Sequence, residues 1–468
     1  MKPGNAGGGK GPWFEANARR GEGRETGVSL QAPIKVQKLQ AALHAKAKES
    51  PGYRFYTLYD KVYREELLAH AWRCCRANGG AAGVDGERFE DIEALGVERW
   101  LGELAEALRK KEYRMQPVRR VYIPKPDGKE RPLGIPTIRD RVVQTAVMLV
   151  LEPIFEADLQ PEQYAYRPGR SAHDAVRHVH RLLNTGHTEV VDADLSGYFD
   201  SIPHAELMQS VARRVSDRHL LHLIKMWLVA PVEEDDGRGG KRRTTRNKDT
   251  RRGIPQGAPI SPLLANLYMR RFVLGWKVLG HERRLDAHIV NFADDFVMCC
   301  RGTAGQAMAA MRFMMKRMKL TVNEDKTHCC CVPMDRFDFL GYTFGRCYSP
   351  RTGRSYIGAY PSKRSRLRVV QSVSEWTRPR WLLLDAEVVV GKINRLLNGW
   401  ANYFCLGPVD KSYRAVDAHT RNRLRRWLRK KHKLPGKGYS RYPDGYLYDV
   451  LGLVRLPERT RNFPWVKA

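Results

Sequence analysis

The 468-residue sequence is short of acid and has no long apolar run. Asp and Glu number 51 against 82 Lys and Arg, which leaves a formal net charge of +31. Such a surplus points to a polyanionic partner, because each phosphate met by Lys or Arg releases a condensed counterion. No stretch approaches 18 uninterrupted apolar residues, so a membrane-spanning helix is excluded and no membrane partner is expected. The opening residues, MKPGNAGGGKGPW, carry no apolar core of the kind a secretory signal needs. Cysteine is scarce and poorly spaced for chemistry. The nine fall as Cys74-Cys75, Cys299-Cys300, Cys329-Cys330-Cys331, Cys347 and Cys405. An odd total argues against a disulfide framework, and without spaced pairs even His328 beside the triplet makes no zinc motif. A reducing cytoplasm is the expected location. Apolar residues are plentiful, however: 42% hydrophobic and 9% aromatic content excludes a disordered chain. At roughly 150 residues per domain, about three domains are expected.

Along the chain, residues 1–30 hold eight glycines and five Lys or Arg with almost no apolar periodicity, and read as a flexible basic lead-in. A helical pattern begins near Val28, and another runs through YRFYTLYDKVYREELLAHAWRCCRANGG to Gly79-Gly80. RRVYIPKPDGKERPLGIP predicts two strands around a Pro126-Asp127-Gly128 turn. Residues 138–157 predict a long, mostly buried helix, and 189–202 a short strand followed by a turn. The charged stretch 231–252 predicts an exposed loop or hairpin tip. HIVNFADDFVMCC predicts two strands split by a tight Ala293-Asp294-Asp295 turn. Met308, Met311, Met315 and Met318 recur at helical spacing and read as helix core. Past about residue 365 the chain turns helical and basic. Val389, Ile393, Leu396, Trp400 and Tyr403 share one face, and residues 421–433 hold eight Lys or Arg in thirteen.

Three carboxylates stand at predicted strand ends inside apolar surroundings: Asp194, Asp294 and Asp295. Such groups repel one another and lose hydration unless a cation neutralises them. Magnesium suits them, being a hard ion that takes carboxylate oxygens, waters and substrate phosphates. Period-two alternation also puts Asp192 on the face of Asp194, so alternation alone leaves open which of the two would hold metal.

Seven blocks occur in one order: IPKPDGKERPLGIPT (123–137), YRPGRSAHDA (166–175), DLSGYFDSIPH (194–204), GIPQGAPISPLLANLYM (253–269), FADD (292–295), LTVNEDKT (320–327) and FLGYTF (339–344). Over roughly residues 34–455 this series resembles the reverse transcriptases encoded by group II introns. The resemblance implies that Asp194 is the first catalytic aspartate, since Phe199 follows where the family has the aromatic gate that excludes a ribose 2′-hydroxyl. Asp294 and Asp295 match the paired aspartates of the family's YADD box, with Phe292 where tyrosine is usual. By the same resemblance Lys125 and Arg131 grip the incoming triphosphate, a task suited to a Lys point charge and an Arg fork. Gln256 lies against the nucleotide, Lys326 protonates the leaving pyrophosphate, and Arg170 touches the template backbone.

Two Mg²⁺ ions are implied, held by Asp194, Asp294, Asp295 and the backbone carbonyl near Leu195. The segment from 365 to 433 resembles the family's thumb, or maturase domain, which binds intron RNA. There Arg425, Arg426, Arg429 and Lys430, with Trp400, Tyr403 and Trp427 nearby, make the expected RNA face. The implied fold class is α+β, a right-hand polymerase whose palm holds an antiparallel sheet, with an α-helical thumb. Its expected parts are a basic N-terminus (1–33), fingers (34–185), palm (186–360), thumb (361–435) and a C-terminal segment (436–468). The implied partners are group II intron RNA, an RNA template with a DNA primer, target DNA and dNTPs. No paired Cys-x-x-Cys follows the thumb, so no DNA endonuclease module is expected. Two other readings stand beside the polymerase: an RNA-binding splicing maturase with little polymerase activity, and a reverse transcriptase recruited to host defence or repair.

Overall fold

A computed structural model describes residues 31–124, 130–235 and 240–460. The expected flexible lead-in, the Pro126-Asp127-Gly128 turn and the tip of the 231–252 stretch at 236–239 lie outside the described residues. The strands, in chain order, are β1 (Val118–Pro124), β2 (Glu130–Ile135), β3 (Glu189–Ala193), β4 (Val232–Asp235), β5 (Lys241–Thr244), β6 (Ala287–Phe292), β7 (Asp295–Cys300), β8 (His328–Cys331), β9 (Phe337–Phe339), β10 (Tyr342–Tyr348) and β11 (Ser355–Pro361).

The sheet that matters for function has the order β6-β7-β3-β8 and is antiparallel throughout. Its strands are apolar on both faces. Val191, Ile289, Phe296 and Met298 look into one core, and Val190, Val290, Val297 and Cys299 into the other. Alternate residues of a strand point to opposite faces, so a sheet covered on both sides reads as a continuous apolar run. The first core is closed by the N-terminal helices, by the helix Ile138–Glu156 and by the methionine helix Ala304–Arg317. The second is closed by helix Ala172–Asn184, by β9–β11 and by the C-terminal helices.

Helix Ile138–Glu156 matches its expected span and is apolar almost all round, as a helix inside a large core must be. Thr137 caps it, its Oγ1 accepting from Asp140 N at 3.1 Å. Met311, Met315 and Met318 are buried as expected, with Met308 half-buried. In helix Ala386–Tyr403, Val389, Ile393 and Trp400 are buried, whereas Leu397 takes the central place and Leu396 and Tyr403 sit at the rim.

One expectation is corrected and another is extended. The helical pattern through 53–78 breaks into Tyr59–Val62 and Glu65–Asn78. The reason is tertiary: Phe55 N donates to Arg214 O at 2.7 Å and Ser216 N to Phe55 O at 2.8 Å, which commits that backbone to a β-like pairing. The side chain of Asp217 then accepts from Leu58 N at 2.9 Å and Tyr59 N at 2.8 Å, starting the short helix anew. The 231–252 stretch is a hairpin, but it does not stand free. β4 pairs in parallel with β1, giving a second sheet of order β2-β1-β4-β5. Among the described residues no helix is long and apolar enough to cross a membrane.

Candidate active site

β6 and β7 are joined by a two-residue turn, Ala293-Asp294, closed by the Phe292–Asp295 pair. Ala293 takes φ 59°, while Asp294 is not in the left-handed region. These φ signs are those of a II′ turn, whose twist matches the flanking strands but which normally asks for glycine at the first position. The fully buried Asn291 holds it, donating from Nδ2 to Ala293 O at 2.9 Å and Asp295 O at 3.4 Å. Alongside, β3 ends with Ala193 opposite Phe296, so Asp194 is carried one step further, beside Asp295. The three aspartates thus meet at the ends of adjacent strands.

Asp194 is tied to the 321–327 loop on every side. Its carbonyl accepts from Asn323 N at 2.8 Å, and its N donates to Thr327 Oγ1 at 3.3 Å. Its Oδ2 accepts from Asn323 Nδ2 at 2.9 Å and from Lys326 Nζ at 3.2 Å. Leu195 follows, buried and bridged to Val322. Asp294 is open to solvent but hemmed in by protein. That burial pushes its carboxyl upward, its own backbone N–H and Arg131 pull it down, the charge of Asp194 raises it again, and Lys326 lowers it. The three carboxylates do not all lie within 4.8 Å of one another. A carboxyl reluctant to ionise beside a second acid is the donor chemistry that a hard divalent cation relieves, so these residues fit a metal.

The residues expected at the nucleotide form a second cluster. Arg131, on β2, donates from Nε to Gln256 Oε1 at 3.3 Å, and Gln256 Nε2 donates to Asp200 Oδ2 at 3.2 Å. Gly134 N donates to Gln256 O at 2.7 Å, so the β1–β2 hairpin is docked on the GIPQGAP loop. Two glycines permit the approach. A Cβ on Gly257 (φ 104°) would lie 2.5 Å from Gly134 O, and one on Gly134 would lie 2.7 Å from Val118 Cγ1. Phe199 is buried in the short helix Tyr198–Ser201, its carbonyl accepting from Ile254 N at 2.8 Å. Lys125 lies outside the described residues.

Sequence reasoning gave no role to Asn291, Asn323, Thr327 or Tyr166. Asn323 and Thr327 stand in the same block as Lys326, and their three- and one-residue distances from it were the available signal. Tyr166 takes φ 55° beside the cleft, and burial together with Asp294 pushes its hydroxyl up to about 12 against the opposing pull of Arg131. Asp192 points into the second core's side of β3, where burial lifts its carboxyl to about 6.

The expected RNA-facing residues divide. Arg426 and Lys430 are exposed one turn apart, Arg429 is half-buried with its guanidinium on Gly436 O, and Arg170 is exposed over the Tyr164 ring at 5.6 Å. Arg425 does not face solvent: only 2% of its side chain is accessible. It donates to Tyr442 O at 2.8 Å and pairs with Asp444, locking helix Asp410–Lys431 to the C-terminal segment. Of the aromatics expected beside it, the two tryptophans are also core and Tyr403 lies at its rim. Trp427 is 1% and Trp400 8% exposed, and Tyr403 spends its hydroxyl on Leu340 O at 2.9 Å. Helical packing claims these rings because they fall on the same face as Val389, Ile393 and Leu424.

Comparison with known proteins agrees with this geometry. Residues 123–344 match the family model described as reverse transcriptase (RNA-dependent DNA polymerase), and 366–442 match the group II intron maturase-specific domain. The chain is 34% identical over 369 residues to Protein YkfC of Escherichia coli K12, covering 71% of this chain and 94% of that protein. It is 32% identical over 228 residues to the group II intron-encoded protein LtrA of Lactococcus lactis, covering 48% of this chain and 36% of LtrA. It is 24% identical over 433 residues to a 91 kDa protein in the cob intron of Schizosaccharomyces pombe, covering 76% and 52%. The mixed architecture, antiparallel sheets followed by a helical C-terminal region, is that of a reverse-transcriptase palm and thumb. With its carboxylates at adjacent strand ends and its maturase region downstream, the chain belongs to the group II intron reverse transcriptase and maturase family, a class of RNA-directed DNA polymerases.

Proposed function

We propose that the chain extends the 3′-hydroxyl of a DNA primer with dNTPs along an RNA template, and that it binds group II intron RNA to assist splicing and retrohoming into target DNA. The work is assigned to the cytoplasm. The observation that carries the polymerase reading is the convergence of Asp194, Asp294 and Asp295 at adjacent strand ends, with Lys326 on one side and Arg131 on the other. Two Mg²⁺ would be held by these carboxylates and the Leu195 carbonyl, activating the primer hydroxyl and neutralising charge on the departing pyrophosphate.

The protein's own groups supply the rest. Arg131 and Gln256 position the triphosphate and sugar, held in line by their mutual hydrogen bond. The primer hydroxyl gives its proton to solvent, its oxygen bonds to the α-phosphorus as the bond to the β-phosphate oxygen breaks, and Lys326 delivers a proton to that leaving oxygen. Lys326 is 66% exposed, so its chain is free to swing from Asp194 to a phosphate. Phe199, packed from below by Tyr198 at 5.7 Å between ring centres, walls the sugar side and excludes a 2′-hydroxyl.

Primer extension on an RNA template, with deoxy- or ribonucleotides and with Asp294→Ala beside the parent, tests this. Long DNA products that require Mg²⁺ and vanish in the variant support it. Equal extension with ribonucleotides removes the gate from Phe199. An RNA-binding protein that makes no product moves the pure maturase reading forward.

A further inference from the structure

At the opposite end of the catalytic sheet stands a group that the polymerase chemistry does not use. His187 lies in the turn before β3, Asp286 in the turn before β6, and His288 is the second residue of β6. Among the described residues this is the one set of three His, Cys, Asp or Glu side chains whose ligand atoms all lie within 4.8 Å of one another. His187 Nε2 is 3.1 Å and His288 Nε2 3.4 Å from the same oxygen, Asp286 Oδ1. We propose that His187, Asp286 and His288 form a zinc site that clamps the starting ends of the catalytic strands.

The outer nitrogens carry the argument. His187 Nδ1 is 3.3 Å from Thr185 Oγ1, whose own proton is committed to Leu182 O at 3.0 Å, so the imidazole donates there. His288 Nδ1 is 3.7 Å from Glu282 Oε1, a carboxylate oxygen that can only accept. Both Nε2 atoms are thus aimed at the same carboxylate oxygen, and with His187 donating from Nδ1 its Nε2 lone pair faces that oxygen. A cation placed among these three atoms would take all of them as ligands. Zinc ligated at about 2.0–2.2 Å in a tetrahedron has ligands roughly 3.4 Å apart, which the 3.1 and 3.4 Å separations match. Two imidazoles and one carboxylate also select a borderline first-row cation over magnesium. An oxygen partner on the outer nitrogen, here Thr185 for His187 with Glu282 nearby for His288, is the support that metal-binding histidines ordinarily have.

Arg301 completes the frame. Its Nε is 3.6 Å from Asp286 Oδ2 while another nitrogen donates to Thr185 O at 2.8 Å, so the second carboxylate oxygen is held away from the metal. Asp286 and His288 are partly exposed, which leaves a fourth position for water. Cys300, at the end of β7, pairs with Glu189 on one side and Ala287 on the other. A metal here therefore ties β3 to β6 across the end of β7. Those two strands carry Asp194 and Asp294 at their far ends, about 20 Å away at 3.3 Å per residue.

The test uses the full chain, stripped with a chelator and dialysed against micromolar Zn²⁺ in excess Mg²⁺, which occupies hard oxygen sites. The expected result is one more bound zinc in the parent than in Asp286→Asn or His288→Gln, with affinity in the variants weaker by about tenfold or more. Asparagine tolerates the φ of 40° at position 286, so that variant keeps its turn. Zinc should also raise the melting temperature of the parent and not of the variants. Equal zinc uptake by parent and variants, or none by the parent, overturns the proposal and leaves a protonated His–Asp–His cluster. Should the variants fail to fold, Co²⁺ substitution in the parent decides, since absence of the strong visible bands of a four-coordinate site overturns it as well.

Discussion

Lys326 Nζ lies 3.2 Å from Asp194 Oδ2, and Asn323 Nδ2 lies 2.9 Å from the same oxygen. One carboxylate oxygen thus serves two donors, one of them a cation. Lysine here would compete with metal for Asp194 and, once released, stands within reach of a phosphate that the metal would carry. Removing it separates these effects. For Lys326→Ala, kcat should fall about a hundredfold, the usual worth of a positioned proton donor. The Mg²⁺ concentration giving half-maximal primer extension should stay the same or drop. A rise in that concentration would show that Lys326 helps build the metal site, and the acid role would fall.

Gly257 is where the β1–β2 hairpin meets the palm loop. Alanine there faces both φ 104° and a carbonyl oxygen 2.5 Å from its Cβ, so the hairpin must lift. Gly257→Ala should cost about 1–3 kcal/mol in stability. Because Arg131 and Gln256 ride on this contact, KM for dNTP should rise more than kcat falls. Chemical denaturation and steady-state kinetics on one preparation check both. A stability loss with unchanged KM would mean that the hairpin does not position the nucleotide.

These two sites show what was legible beforehand and what was not. The strands β3, β6 and β7 were readable because a sheet covered on both faces leaves mostly apolar runs, which end where Asp194 and Asp294-Asp295 stand. The seven ordered blocks brought distant residues together on paper as the fold does in space. Arg425 and Trp427 were misread because charge and aromaticity in a basic helix say nothing about which side faces the core. Asp444, nineteen residues away, turned Arg425 inward. The broken helix at 53–78 and the docking of β4 on β1 came from pairings with distant partners, Arg214 and Val118, which local periodicity does not encode.

His178 supplies a pH dependence. It sits in helix Ala172–Asn184, directly behind the YRPGRS segment, with Nδ1 2.8 Å from the Tyr164 hydroxyl. Burial, helped by Arg181, lowers its pKa from 6.5 to about 4. The folded protein therefore holds this ring neutral where the unfolded chain would protonate it. Its contribution is fully present above pH 6.5 and is lost as the pH falls toward 4, amounting to ~1–2 kcal/mol for a half-buried group. His178→Gln, which can still accept from Tyr164, should flatten the stability profile between those limits. An unchanged slope in denaturation midpoints from pH 6.5 to 4.5 would assign the acid sensitivity elsewhere.

The thumb offers the sharpest division between surface and core. Arg426 and Lys430 are exposed one helical turn apart, whereas Arg425, immediately before Arg426, is bonded to Tyr442 and Asp444. If the exposed pair meets RNA phosphates, Arg426→Ala with Lys430→Ala should weaken RNA binding without lowering the melting temperature. Each lost phosphate contact makes the slope of log K against log salt less negative by about 0.7–0.9, so the double variant should differ by roughly 1.5. Arg425→Ala should behave in the opposite way. It leaves Asp444 with Arg421 alone and Tyr442 O without its donor, loosening the joint between helix Asp410–Lys431 and the C-terminal segment, so stability should fall by about 1–3 kcal/mol while the salt slope of the folded fraction is kept. A salt slope unmoved by the double variant would place the RNA on another face of the helix. A slope moved by Arg425→Ala alone would mean that the buried guanidinium is released when RNA binds.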